Sequence, residues 1–590
     1  MRAFFRLVFL LLLVAAALLV WRPEWRQAAL RAAEPLVARG WEALSRRPAA
    51  PPAPTAVPAA PPARVVPVTA PEPLPEEPVT EPEEAVVPGG NLPPVLPTVR
   101  PAPPLPPQLR ALRAAAEARP SAAGYRRLAD AAAAGGFTEV ASAAYLREAA
   151  IYRKRGDPNA AAVEERKAGR YRAEGHLYLH ARETPPDDPT RARLEPPSGA
   201  LLGAFIDRDD QLRTTFMDEN HQTHRDESEF AERVGKGHAS LFCYLLYGRP
   251  FPARWAERLR RDGVIPHIAW EPPSLDEVAD DGYLNGFADA LARFDAPIFI
   301  RFAGEMNGEW TPYHGNPSLY REKFRLVYRV ISRRAPKAAM IWCVNHVPDE
   351  TIDEYYPGDD AVDWVGVNAY NVLYFDNNPS RPADWVHPAD MLRRVYARYA
   401  ARKPIAICEY AASHQAAVDP RPRPEYAATR IAQLYAALPR LFPRIKLVDW
   451  FDCNNLLHAR AERQLNNYSL TDDPEVLRAY RAAIAPPYFL ARMDERPEET
   501  IRPLRAEETV SGIVTLSAWV RAPVERARVY LLADREVLYA GDEPGAPLGR
   551  WDTRRVRPGA HTLRLLVLDR EGRRILEERR TVRVAPAQGP

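Results

Sequence analysis

The chain has 590 residues, 46% of them hydrophobic and 27% charged, with 80 basic against 77 acidic side chains and a net charge of +3. At about 150 residues per domain that length calls for several units, and the near balance of charge gives no case for nucleic-acid binding. Four widely spaced cysteines, Cys243, Cys343, Cys408 and Cys453, form no CxxC or Cys/His cluster. They read as small buried apolar residues and exclude a structural zinc site, with a Cys408–Cys453 disulfide the one pairing left open.

Residues 3 to 21 (AFFRLVFLLLLVAAALLVW) are apolar apart from Arg6, long enough to span a bilayer if Arg6 snorkels to the interface. No A-x-A site follows, since Trp21 and Arg22 come next, so a signal anchor over 1–21 is favoured over a cleaved signal peptide. The expected location is a single pass in a bacterial inner membrane with the remainder periplasmic or extracellular, or secreted if the segment is cleaved. Residues 22–47 carry Trp25, Leu30, Leu36, Trp41 and Leu44 at helical spacing and read as a juxtamembrane helix. Prolines, 62 in all, cluster over 48–107 as an extended spacer. Residues 108–175, rich in Ala, Arg and Glu with breaks at Gly135-Gly136 and Gly156-Asp157-Pro158, predict three helices. They resemble part of a tetratricopeptide array, but a small helical adaptor fits so short a stretch better.

From 196 to 488 short apolar runs alternate with amphipathic helices. Eight strands are expected, at 200–206, 239–246, 264–270, 297–302, 338–344, 363–369, 404–409 and 446–451, with only a short turn between the fifth and sixth. The fold class is α/β, a (β/α)8 TIM barrel preceded by a small helical segment. Residues 498–586 change to period-two alternation, as in Val514–Val520 and His561–Leu568, and predict an all-β antiparallel sandwich.

Two acids interrupt the barrel pattern. Glu305 follows Pro297-Ile-Phe-Ile-Arg-Phe302, and Glu409 follows Pro404-Ile-Ala-Ile-Cys408. Each stands at the C-terminal end of a strand, the fourth and the seventh, where barrels carry their chemistry. An opposed pair of carboxylates is what hydrolysis of a glycosidic bond requires. Weaker candidates at strand ends are His267, Trp270 and Glu271, Asn345 and His346, and His414, with Trp270 first among them. No two histidines have metal spacing, and neither a metal nor a cofactor is expected.

The segment Gly304-Glu305-Met306-Asn307-Gly308-Glu309-Trp310 resembles the H-E-M-N-G-x-W signature of glycoside hydrolase family 26, best known for β-mannanases, at every fixed position but the first. The resemblance extends over the barrel, including Val362-Asp-Trp-Val-Gly-Val-Asn-Ala-Tyr370 and Leu447-Val-Asp-Trp450-Phe451. It implies that Glu305 is the acid/base and Glu409 the nucleophile of a retaining β-glycoside hydrolase, with Tyr370 donating to Glu409. It further implies apolar faces for sugar rings from Trp310 and Trp450, and a polysaccharide substrate. Arg301, just inside its strand, is expected to pair with a carboxylate at the barrel mouth, and Arg301, Asn307 and Trp270 complete the expected substrate contacts. Gly304 stands where the family has histidine, so the resemblance points to β-glycan hydrolysis more firmly than to mannan. The phrases Trp551-Asp-Thr, Gly559-Ala-His-Thr-Leu563 and Asp569-Arg-Glu-Gly572 resemble bacterial immunoglobulin-like modules of secreted glycosidases. Anchor and spacer together fit action at the cell's own envelope, with envelope or exopolysaccharide-assembly proteins as partners. The alternative is a non-catalytic polysaccharide-binding or assembly protein on a glycosidase-like barrel.

Overall fold

The computed structural model describes residues 95–586 apart from 183–187, 189, 525 and 544, all within one compact unit, Pro82–Pro590. The expected anchor, juxtamembrane helix and spacer up to residue 94 lie outside the described residues. Among the described residues no helix is long and apolar enough to cross a membrane.

Four helices open the described chain, not three: Pro107–Ala118, Ala122–Ala134, Thr138–Lys154 and Pro158–Arg170. The extra break falls at Arg119-Pro120, because a proline lacks the N–H a helix needs and pushes the residue before it out of helical geometry. Ser121 then caps the second helix, its hydroxyl accepting from the Gly124 N–H at 3.1 Å. Leu109, Leu128, Ala129, Ala144 and Tyr145 form a small core between the helices.

The barrel has eight parallel strands: Ala200–Arg208, Ser240–Leu246, Ile265–Glu271, Ile298–Phe302, Ala338–Asn345, Trp364–Asn371, Ile405–Ala412 and Ile445–Cys453. The eighth pairs with the first, Leu447 opposite Leu201, and closes the ring. Phe299, Ile341, Cys343, Trp364, Cys408 and Leu447 fill the interior. Alternate residues such as Ile268, Ile300, Val365 and Val448 face the helices in a separate, larger cluster. The short link between strands five and six holds two one-turn 3₁₀ segments, Ile352–Tyr355 and Asp359–Ala361. All four cysteines are buried free thiols.

The C-terminal region forms two sheets sharing one core of Leu177, Leu516, Ala518, Val529, Leu531, Leu565 and Val567. The sheets also take in a strand from outside the expected range 498–586. Glu174–Ala181, which precedes the barrel, pairs antiparallel with Ile513–Arg521 and Thr500–Pro503 and occupies the middle of the four-stranded sheet. The strand alternates small or polar residues with Leu177 and Leu179, and it finds its partners only across the whole barrel. One pairing, Glu508–Val510 with Arg574–Val584, is parallel. This sandwich grips one outer helix of the barrel, Pro388–Tyr399, through ion pairs, Arg521 to Asp390 at 2.7 Å and Glu174 to Arg393 at 2.6 Å.

Candidate active site

The fourth strand alternates cleanly, with Ile300 and Phe302 against the helices and Phe299 in the interior cluster. Arg301, on the same face as Phe299, is thereby sealed inside the barrel at 1% exposure. Beyond Phe302 the chain leaves the extended form. Ala303 (φ 47°) and Glu305 (φ 60°) both adopt left-handed geometry, which costs on the order of 1 kcal/mol or more per residue and persists where the surroundings enforce it. The enforcement is visible: the Glu305 N–H donates to the Cys343 carbonyl of strand five at 2.9 Å. The Asn307 side chain donates to the Asn345 and Pro348 carbonyls at 2.8 and 2.7 Å and accepts from the Asn345 N–H at 2.9 Å. Asn307 is fully buried; it is a clamp between two loops, and its side chain is not at the mouth as expected.

Glu305 emerges half-buried. Its Oε1 accepts from Asn345 Nδ2 at 2.9 Å and Asn368 Nδ2 at 2.8 Å, and its Oε2 accepts from the Trp310 indole N–H at 2.6 Å. Trp310 is 44% exposed, its ring lying over Gly308, where a Cβ would meet the indole at 2.3 Å.

Glu409 reaches the interior by a different device. Along strand seven Ala406 and Cys408 point inward and Ile407 and Tyr410 outward, which by strict alternation would send Glu409 to the helices. A register shift between Ile407 and Glu409 against strand six adds one residue and turns Glu409 inward beside Cys408. There it is buried and accepts from Tyr244 Oη at 2.7 Å, from Tyr370 Oη, and from Arg301 Nη2 at 2.6 Å. All three contacts present a proton, the setting an anionic carboxylate needs. Burial works against the Arg301 charge, but the Glu409 carboxylate holds its pKa well above the ordinary value. Burial and Glu409 likewise raise Tyr370 far up, so it stays a donor. Arg301 Nη1 also donates to Asn368 Oδ1 at 3.4 Å. Asn368 therefore joins the two acids, one amide hydrogen on Glu305 and its oxygen on the arginine that holds Glu409.

Glu305, Glu409, Arg301, Tyr370 and Trp310 thus come together at one mouth. Trp270 and Trp450 do not. Both are fully buried on the helix side of their strands. Trp270 stacks on Phe287 at 4.1 Å between ring centroids, and the Trp450 indole donates to the Tyr468 carbonyl at 3.3 Å. Strand parity explains both: Glu271 and Asp449 take the inward positions beside them. Asp449 pairs with His267 Nδ1 at 2.9 Å in the interior. That pair is tolerated because Gly203 leaves room, a Cβ there lying 1.7 Å from Asp449 Oδ1. His346 is half-buried, and His414 pairs with Asp472 at 3.1 Å.

Sequence reasoning missed Tyr244, Asn368 and Tyr313. The first two carry a readable signal, each standing two residues from another inward side chain, Phe242 and Tyr370 respectively. Tyr313 lies in the long loop after strand four and donates to Glu271 Oε2 at 2.6 Å. Burial, opposed by Arg301, pushes the Glu271 carboxyl up to about 7. Among the described residues no cluster of His, Cys, Asp and Glu has the make-up to hold a metal ion.

Comparison with known proteins gives a family match over part of the barrel. Residues 272–397 match the family model for Glycosyl hydrolase family 26, a segment that includes Glu305 and ends before Glu409. Endoglucanase H of Acetivibrio thermocellus is 24% identical over 249 residues, covering 39% of this chain and 25% of that protein. Beta-1,3-xylanase TXYA of a Vibrio species is 33% identical over 99 residues, covering 15% of this chain and 21% of that protein. The chain therefore spans about a quarter or less of the curated relatives it matches. Among solved structures, an endo-beta-1,4-mannanase of Cellulomonas fimi aligns with 15% identity over 65% of this chain and 94% of its own, at a TM-score of 0.36. A beta-mannanase of Bacteroides ovatus aligns with 13% identity over 51% of this chain and 92% of its own, at a TM-score of 0.34.

Proposed function

We propose that this chain is a membrane-tethered retaining β-glycoside hydrolase that cleaves a polysaccharide. One observation carries the reading: carboxylates from strands four and seven share the barrel mouth, linked through Asn368 and Arg301. In this reading Glu305 gives a proton to the glycosidic oxygen as Glu409 attacks the anomeric carbon. The bond to the leaving sugar breaks and an ester to Glu409 forms. Glu305 then takes a proton from water, whose oxygen attacks the same carbon and releases Glu409. Tyr244, Tyr370 and Arg301 stabilise Glu409 each time it leaves as an anion. The exposed indole of Trp310 offers a face to a sugar ring beside Glu305.

The glycan is an endo-cleaved β-mannan or a related β-glycan. The anchor and spacer read from residues 1–107 would hold the barrel outside the inner membrane, where it trims a polymer made at the cell's own envelope. The C-terminal sheets serve as an immunoglobulin-like spacer or docking module. A fusion reporter active only on the cytosolic side would sink the topology.

A non-catalytic polysaccharide-binding protein is the second reading, and one contact favours it. The Trp310 N–H occupies Glu305 Oε2, an oxygen from which an acid's proton would leave. Incubation with mannan, mixed-linkage glucan and the host's own exopolysaccharide separates the two. Cleavage by the wild type that Glu409→Ala abolishes, with the first product keeping its anomeric configuration by NMR, supports the enzyme. Binding without cleavage supports the scaffold.

A further inference from the structure

Gly304 is not required by its backbone, which lies outside the left-handed region that favours glycine. What glycine leaves there is room. A Cβ at 304 would find its nearest neighbours at 3.6 Å (Glu271 Oε1), 3.8 Å (Arg301 Cδ) and 3.9 Å (Arg301 Cγ), all ordinary contact distances. The space is bounded by a carboxylate oxygen on one side and an arginine stem on the other, directly beside Glu305.

Glu271 is oriented for that space. Tyr313, itself 3% exposed, fixes Oε2 by its 2.6 Å hydrogen bond. Oε1 faces Gly304 and has no hydrogen-bond partner among the described residues. Once this carboxyl is ionised, above about pH 7, an oxygen held this way accepts a hydrogen bond from whatever fills the space. Its occupant is not an acid, because Glu271, Glu305 and Glu409 already surround the one Arg301 charge, whose Nη atoms are committed to Glu409 and Asn368.

We infer that the room over Gly304 is a specificity subsite, in which Glu271 Oε1 accepts a hydrogen bond from a donor-bearing substituent, a hydroxymethyl or an amine, on the sugar ring next to Glu305. The inference rests on the glycosidase reading and deepens it. A ring without such a substituent leaves Oε1 unpaired once the substrate has displaced water, a penalty worth about 10-fold or more in kcat/KM. A uronate in the same place is repelled while Glu271 is ionised. Pentose and hexose polymers of one linkage are thus distinguished here, since a xylose ring lacks the hydroxymethyl group.

The test uses the full chain and linkage-matched probes: β-1,3-glucan against β-1,3-xylan, β-1,4-mannan and β-1,4-glucan against β-1,4-xylan, and chitosan for the amine. Oligosaccharides of each are also titrated calorimetrically against Glu409→Ala, so that binding is read even without turnover. Wild type prefers the donor-bearing member of a pair about 10-fold or more, and the hexose and chitosan arms tell which donor is used. Gly304→Ala, which fills the room without a clash, erodes that preference at unchanged melting temperature, and Glu271→Gln erodes it in a chain that stays folded. An equal response of both members, or a preference for the pentose polymer, overturns the inference while leaving the glycosidase reading intact. Cleavage that survives Glu409→Ala overturns the assigned glutamate roles instead. A chain that neither cleaves nor binds any probe overturns both.

Discussion

Glu409 is held by three strands, with Tyr244, Arg301 and Tyr370 all rooted in the barrel wall, whereas Glu305 sits on a left-handed turn and is held partly by Trp310, an exposed loop residue. The wall makes the first acid a buried, charge-paired acceptor. The loop leaves the second half-open, next to the space over Gly304. A nucleophile needs a fixed position and a lasting negative charge, while an acid/base must exchange a proton with the substrate and with water. The difference in scaffolding is what the proposed division of roles would require.

The sharpest break of that comparison is removal of either acid. Glu409→Ala should lower kcat by about 10⁴-fold or more, measured on whichever glycan the wild type cleaves, with binding retained. Glu305→Ala should cost about 10²–10⁴-fold on a polysaccharide but far less on an aryl glycoside whose leaving group needs no proton. Equal losses on both substrates would undo the division of roles.

Next comes the buried charge. Arg301→Met should destabilise the fold by about 3–5 kcal/mol, because it strands Glu409 without its partner. Glu409→Gln in the same chain should recover part of that loss in denaturant melts. Absence of recovery would mean that Arg301 matters for packing alone. Trp450→Ala should cost a similar ~3–5 kcal/mol through a core cavity, while the folded fraction keeps the wild-type kcat. A selective rise in KM would instead return Trp450 to the substrate face.

Smaller effects belong to the loop side. Trp310→Phe keeps a ring but removes the indole hydrogen from Glu305, and a several-fold change in kcat/KM is expected from ~1 kcal/mol. It should be accompanied by a moved limb in the pH profile. Glu271 offers a pH test of stability. Its carboxyl is raised by burial to about 7, with Arg301 and Tyr313 opposing and Glu409 and Glu305 adding to the rise. The folded chain therefore keeps a proton that the unfolded chain releases near 4.5. Stability from this group is present at low pH and declines as pH rises toward about 7. Glu271→Gln should flatten the melting temperature between pH 5 and 8; an unchanged slope would place the titration elsewhere.

Much of the site was legible. The apolar runs ending at Glu305 and Glu409 identified both acids, and the motif around Glu305 brought Trp310 to the same mouth. Parity alone would have moved Trp270 and Trp450 to the core and raised Tyr244 and Asn368, since inward side chains recur every second residue. Asn307 was misjudged because a motif names residues without saying which of them touch substrate. Its amide is used up holding two loops together.

Local sequence determined the eight barrel strands, the alternation that buries Arg301, and the presence of acids at strand ends four and seven. These depend on side-chain period and on turn residues, interactions of short range. Tertiary structure alone decided three things. It inserted the extra residue that turns Glu409 inward against the alternation of its own strand. It placed Tyr313, from an irregular loop, on Glu271. It joined Glu174–Ala181 to strands on the far side of the barrel, with His180 and Ser517 in contact though 337 residues apart. Each depends on partners that the chain meets only after folding, and no local pattern names a partner.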